Sequence, residues 1–230
     1  MENIVQKHID LIHSTVLNKY NIKPEDILNI YIFGSQVYGT ATSNSDFDIS
    51  LVIKNKIGVN NQEIKHPIVN IHIYEDDFFQ EKLNEHKIGF LECIMADDLF
   101  KIENKKFFFN LNKSVLRKEI SSVANNSWVK CKKKLLVEQD EYDIGVKSLF
   151  HSMRIADFGK QIAIKGKVED FSSMNYLWDE IKYRHDLTWN YLYETYKKDY
   201  NRLMSEFRLV APKEEKSSTS KNKNKSNKKP

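Results

Sequence analysis

Cysteine is scarce in this chain, and long apolar runs are absent. Cys93 and Cys131 are the only two cysteines in 230 residues. That is too few, and too widely spaced, for a disulfide framework or a zinc site built on closely spaced ligands. Reduced, partly buried thiols are expected instead. No stretch of eighteen apolar residues occurs, which argues against a membrane-spanning helix. The polar N-terminus carries no signal-peptide core, so a soluble, cytoplasmic protein with no membrane partner is expected. No internal repeat is visible. A global basic field is missing too. The net charge is +4, but Lys213 to Pro230 holds seven lysines and two glutamates, leaving about −1 for everything before it. A near-neutral body exerts no long-range pull on nucleic acid.

What is present points to a folded, mixed protein. Hydrophobic residues make up 40% and aromatics 12% of the chain, enough for one large domain or two small ones. Residues 2–19 space their apolar side chains helically, ending before Asn21 and Pro24. A buried strand is expected at 29–33, an acidic strand at 46–53, and a third at 68–74, where Val69, Ile71 and Ile73 alternate with Asn70, His72 and Tyr74. Lys54 to Pro67 reads as a loop with room for a short hairpin. From Asp76 onward the pattern turns helical, with helices predicted over 113–133, 145–165, 174–184 and 187–210, and Gly166 placed to end the second of these. Strands early and helices late predict an α+β protein: a small mixed β-sheet domain at 1–112, a helical domain at 113–211 and a basic tail at 212–230. The tail cannot bury apolar surface and is expected to be disordered. It supplies either weak, salt-sensitive phosphate affinity or only solubility.

The chemistry concentrates between Ile30 and Ile53. Gly34-Ser35 follows a strand, Gly39 comes next, and Ser45-Asp46-Phe47-Asp48 leads into the following strand. Two carboxylates separated by one strand residue share a face, making a negative pocket that a divalent cation neutralises. The glycine–serine turn offers backbone N–H groups and a hydroxyl to phosphate oxygens. Metal and phosphate together point to phosphoryl or nucleotidyl transfer.

This combination of Gly34-Ser35, Gly39 and Ser45-Asp46-Phe47-Asp48 resembles the signature of nucleotidyltransferases of the DNA polymerase β superfamily. The resemblance extends through Asn70 to Glu75, Phe78 and Leu91 to Met95, and on to Lys147–Arg154 and Lys165-Gly166-Lys167, covering roughly residues 28–167. It implies transfer of a nucleoside monophosphate from a triphosphate such as ATP to a hydroxyl, with release of pyrophosphate. Asp46 and Asp48 would hold Mg²⁺ (or Mn²⁺). Gly34 and Ser35 would contact the β- and γ-phosphates, Gly39 would permit a tight turn, and Ser45 would cap the local backbone. The acceptor is left open among a nucleic acid end, a protein and a small molecule.

The chain departs from the pattern on the neighbouring strand. The superfamily's third carboxylate falls on Asn70, or less naturally on His72. An amide oxygen ligates Mg²⁺ but adds no charge and accepts no proton. A histidine accepts a proton near neutrality, although an ordinary half-exposed strand histidine is the commoner reading. The alternative function is therefore a catalytically degenerate protein that binds nucleotide or a partner.

Lys147, His151 and Arg154 stand at i, i+4 and i+7 on one helix face. Aimed across a cleft at Asp46 and Asp48, they would bind triphosphate or an acceptor's backbone; a solvated face has the same spacing. Glu75-Asp76-Asp77 is expected to charge the first turn of the next helix rather than bind metal. Glu92, among apolar residues, is expected to be buried in a structural hydrogen bond. Trp178, Trp189 and Tyr176, Tyr183, Tyr191 and Tyr193 are expected in the core, with base stacking the less frequent role.

Overall fold

The computed structural model describes residues 3–55, 58–138 and 141–214. Nearly all of the expected tail, from residue 215 on, lies outside them. Helix α1 (Ile4–Tyr20) starts at Asn3, whose side chain accepts the Gln6 N–H at 3.2 Å. Its buried stripe is Val5, Ile12 and Val16. Five strands follow: β1 (Ile27–Phe33), β2 (Phe47–Ile53), β3 (Gln62–Lys65), β4 (Val69–Glu75) and β5 (Lys101–Glu103). They form one sheet in the order β3-β4-β2-β1-β5. β2 and β4 run parallel, and the other neighbours are antiparallel. The helices are α2 (Ser35–Tyr38), α3 (Asp76–Asn84), α4 (Ile88–Met95), α5 (Lys113–Leu136), α6 (Tyr142–Lys165), α7 (Asn175–Ile181) and α8 (Trp189–Val210). A mixed sheet followed by helices is the α+β class that the pattern predicts.

The two-residue period of the strands sorts the sheet into two faces. Ile30, Ile32, Ile49, Leu51, Ile53, Val69, Ile71 and Ile73 pack with the α1 stripe in one buried cluster. Tyr31 and Val52 belong to a second cluster on the other face, shared with α3 to α8. Asp48 and Asn70 are register partners on β2 and β4 and point to that second face. The candidate site therefore opens toward the helical half, away from α1.

Boundaries shift where tertiary packing decides them. The hairpin allowed within 54–67 forms, as β3 pairs antiparallel with β4. α5 runs three residues past the expected Lys133 and buries Leu135. α6 begins at Tyr142, so Gly145 is internal and not a helix start. A Cβ there would sit 3.0 Å from Leu135 Cγ, so the glycine serves close helix contact. Gly166 ends α6 with φ 78°, its N–H bonded to the Ile162 carbonyl at 2.8 Å. Asp76 and Asp77 occupy the first turn of α3, and Asp76 pairs with Lys105. Both cysteines are free and buried, with burial pushing the Cys131 thiol up to about 12. No described helix is long and apolar enough to cross a membrane.

Candidate active site

A cleft of about 450 Å³ lies between the β1–α2 turn and α6. Of the predicted residues, Gly34, Ser35, Ser45, Asp48, Lys147, His151 and Arg154 line it. Asp46 and Asn70 are not among its lining residues. Gly34 adopts φ 74°, and a Cβ on it would lie 2.7 Å from Asp48 Oδ2. Glycine is required there twice over, by backbone conformation and by contact with the carboxylate. It also lets the Val37 and Tyr38 N–H groups fold back onto the Gly34 carbonyl, each at 3.1 Å. Ser45 Oγ accepts the Thr42 N–H at 3.0 Å, the local capping role expected of it.

The acidic pair is held under electrostatic tension. Asp46 immediately precedes β2 and Asp48 is its second residue. The Asn70 amide N–H donates to Asp46 Oδ2. Burial raises the Asp48 pKa from its ordinary value, and the Asp46 charge raises it further; Asn70, His72 and Lys147 oppose this. Among the described residues, no group of three His, Cys, Asp or Glu side chains is placed to hold a metal ion. The donors that are present nevertheless fit one divalent cation. Two mutually repelling carboxylates are what it neutralises, and Mg²⁺ binds through one or two carboxylates with substrate phosphates completing its shell. At position 70 the amide hydrogen-bonds one of those carboxylates instead of supplying a third.

The opposite wall is α6. Lys147 is exposed at the mouth, close enough to Asp48 to stabilise its charge. His151 lies deeper; burial, then the Arg154, Lys147 and Lys130 charges, hold its pKa well below the ordinary histidine range. It is therefore a neutral imidazole at physiological pH. Arg154 is 3% exposed, with its guanidinium 3.5 Å from the centre of the Tyr38 ring. Its Nε and Nη1 are buried without a hydrogen-bond partner.

Tyr38, which sequence reasoning passed over, ties the site together. Its hydroxyl donates to buried Glu92 of α4, its carbonyl accepts the Asn175 side-chain N–H of α7 at 2.8 Å, and its ring meets Phe158 and Phe171. Burial raises the Glu92 pKa, and Arg154 and the Tyr38 hydroxyl oppose that rise. The structural hydrogen bond expected of Glu92 is thus observed. Phe150, Trp178 and Asp143 also line the cleft. Trp189 is in the core as expected, but Trp178 is half-buried on the cleft wall, and Tyr176, Tyr183, Tyr191 and Tyr193 are exposed. Tyr176 and Trp178 lie on the seven-residue α7, which buries only Leu177 and Ile181, Tyr183 follows it, and Tyr191 and Tyr193 fall outside the α8 stripe of Trp189, Leu192, Tyr196, Tyr200, Met204 and Phe207 that faces the core.

Residues 15–107 match the family model described as polymerase beta, nucleotidyltransferase. Over this segment the chain is similar to polymerase β-type nucleotidyltransferases. The matched segment includes Gly34, Ser35, Asp46, Asp48 and Asn70, while α5 to α8 lie beyond it. Two solved structures show distant likeness. One is a spectinomycin adenyltransferase from Enterococcus faecialis with ATP and spectinomycin, 11% identical, with 88% of this chain and 99% of that chain covered and a TM-score of 0.42. The other is a nucleotidyltransferase-like protein from Exiguobacterium sibiricum, 9% identical, covering 88% and 74%, with a TM-score of 0.30. No curated protein matches the sequence.

Proposed function

We propose that this nucleotidyltransferase domain, with α6 as its facing wall, transfers a nucleoside monophosphate from a triphosphate to a hydroxyl acceptor and releases pyrophosphate. The observation that carries this reading is the meeting, in one cleft, of the Gly34-Ser35 turn, Asp48 and the cationic face of α6. Mg²⁺ or Mn²⁺ held by Asp46 and Asp48 would screen the triphosphate and lower the pKa of the attacking hydroxyl. The Gly34-Ser35 turn presents N–H groups and a hydroxyl to phosphate oxygens. Lys147 at the mouth adds an exposed positive charge. The unpartnered Nε and Nη1 of Arg154 offer a preorganised pair of donors to an anion. His151, kept neutral, donates or accepts a hydrogen bond without adding charge. Asn70 takes no proton, so the acceptor hydroxyl must lose its proton elsewhere.

The test is incubation of the full chain with labelled nucleoside triphosphates, Mg²⁺ or Mn²⁺ and panels of nucleic acid, protein and small-molecule acceptors. Labelled product and pyrophosphate are expected, with a loss of at least 100-fold in Asp46→Ala and Asp48→Ala. Product that persists in both variants would overturn the reading.

The Asn70–Asp46 hydrogen bond favours one second reading, a protein that binds nucleotide without turnover. Asn70→Asp separates the two. If position 70 is the third metal position, the variant gains divalent-cation affinity at least tenfold by calorimetry and its transfer rate rises. Unchanged affinity removes position 70 from the site.

A further inference from the structure

We infer that the exposed face of α5 is a docking track for the sugar–phosphate backbone of a nucleic acid strand, leading its end to the cleft. The acceptor role of that strand rests on the transferase reading above; the binding does not.

Charge in this molecule is segregated, not balanced. α5 holds Lys113, Arg117, Lys118, Lys130, Lys132, Lys133 and Lys134 against Glu119 alone, a net of +6 in a chain whose total is +4. The helix is therefore opposed by a remainder that sums to −2. Its single carboxylate is already engaged, since Glu119 accepts Lys87 Nζ at 2.9 Å. Lys133 and Lys134 both pair with Glu138. Among the described residues Lys118, Lys130 and Lys132 are exposed and form no ion pair. Such a concentration of unneutralised cations is a binding surface for a polyanion.

The track has two defined ends. A rise of 1.5 Å per residue puts Lys130 and Lys132 about 18 and 21 Å along the helix from Lys118. That span exceeds any mononucleotide and suits several consecutive phosphates. At the Lys118 end a groove of about 670 Å³ between α5 and α8 adds Arg117, Arg208 and Lys213, with Glu214 as its one acid. At the other end Lys130 comes within electrostatic reach of His151 in the cleft. The antiparallel register of α5 and α6 accounts for this: Ile120 meets Gly159 and Leu135 meets Gly145, so Lys130 falls beside the Phe150–His151 turn. Between the ends the solvent face carries Ser122, Asn125 and Asn126, with no carboxylate among them. Neutral polar side chains of this kind bond sugar and phosphate oxygens. Membrane binding is the weaker fit, because α5 already buries its apolar stripe, from Leu116 to Leu135, inside the protein. Beside the cleft, Trp178 and 75%-exposed Tyr183 flank a smaller cavity that shares Thr40 and Thr42 with it, a platform on which a terminal base stacks.

The experiment is fluorescence anisotropy of labelled 20-nucleotide single-stranded RNA and DNA with the full chain at 50–200 mM salt. Three proteins are compared: wild type, the triple variant Lys118→Ala/Lys130→Ala/Lys132→Ala, and a variant with Lys221, Lys223, Lys225, Lys228 and Lys229 changed to alanine. Circular dichroism checks that each is folded. Binding should weaken with salt, and the triple variant should lose at least tenfold in affinity at 100 mM. Its log–log salt slope should fall by about 2, three phosphate contacts at about 0.7 each. Affinity and slope unchanged in the triple variant, with loss confined to the tail variant, would overturn the proposal. So would tighter binding to phosphatidylserine vesicles than to either oligonucleotide. A protein that passes this test yet transfers no nucleotide loses the transferase reading and keeps the track.

Discussion

Arg154 and Tyr38 show how single residues set the chemistry of the cleft. A buried guanidinium without acceptors costs free energy, and here the Tyr38 ring beneath it and nearby Glu92 offset part of that cost. The same charge, with Lys147 and Lys130, keeps His151 neutral, although burial is the larger cause. This has a sign that can be tested. The folded pKa of His151 lies below the unfolded value of about 6.5, so between the two the unfolded chain binds more protons. Stability from this group is fully present above about pH 6.5 and is lost as pH falls through that window. Urea midpoints at pH 7.5 and pH 5.5 should therefore differ more for wild type than for His151→Gln. Equal pH sensitivity of the two proteins would refute the assignment. Little of this was legible beforehand. The spacing of Lys147, His151 and Arg154 marked a shared face, but nothing local indicated that Arg154 would be sealed against a tyrosine 116 positions earlier in the chain.

At the scale of elements, the α5–α6 pair depends on glycine as a contact surface. A Cβ at Gly159 would lie 2.6 and 2.9 Å from Ile120 Cγ2 and Cγ1. Alanine there gains about 1 kcal/mol of helix propensity against an overpacking cost of about 1–3 kcal/mol. Gly159→Ala should lower stability by roughly 1 kcal/mol, and it should couple non-additively with Ile120→Ala in a double-mutant cycle. Gly89 of α4 is the control, since a Cβ there meets nothing within 4 Å. Gly89→Ala should be neutral or stabilising by up to about 1 kcal/mol. Thermal unfolding of the four variants and wild type checks both expectations. The helical periods announced that α5 and α6 exist. They did not announce which glycines would be pressed against a neighbour, because that depends on register between helices and not within one.

Across the whole molecule, the sheet's two faces have different fates. One is closed by α1 within the first 75 residues. The other shares a single buried cluster in which Tyr38, Leu83 and Leu91 join Leu149, Phe158 and Met204. A fragment ending at residue 112 would expose that face to water. It should bind a hydrophobic dye and show no cooperative urea transition, whereas the full chain unfolds cooperatively; a cooperative fragment would show the sheet domain to be self-sufficient. By itself the sequence determined strands β1, β2 and β4, the long helices, the glycine–serine turn and the acidic pair, because two-residue and 3.6-residue periods and the Gly-Ser and Ser-Asp-Phe-Asp patterns are local. Only the tertiary structure decided that Tyr38, Trp178 and Asp143 line the cleft, that the Asn70 amide engages Asp46, and that the charge of Lys130 on α5 is felt at His151. Those juxtapositions join residues far apart in the chain, and close packing of side chains fixes them with no periodic trace in the sequence.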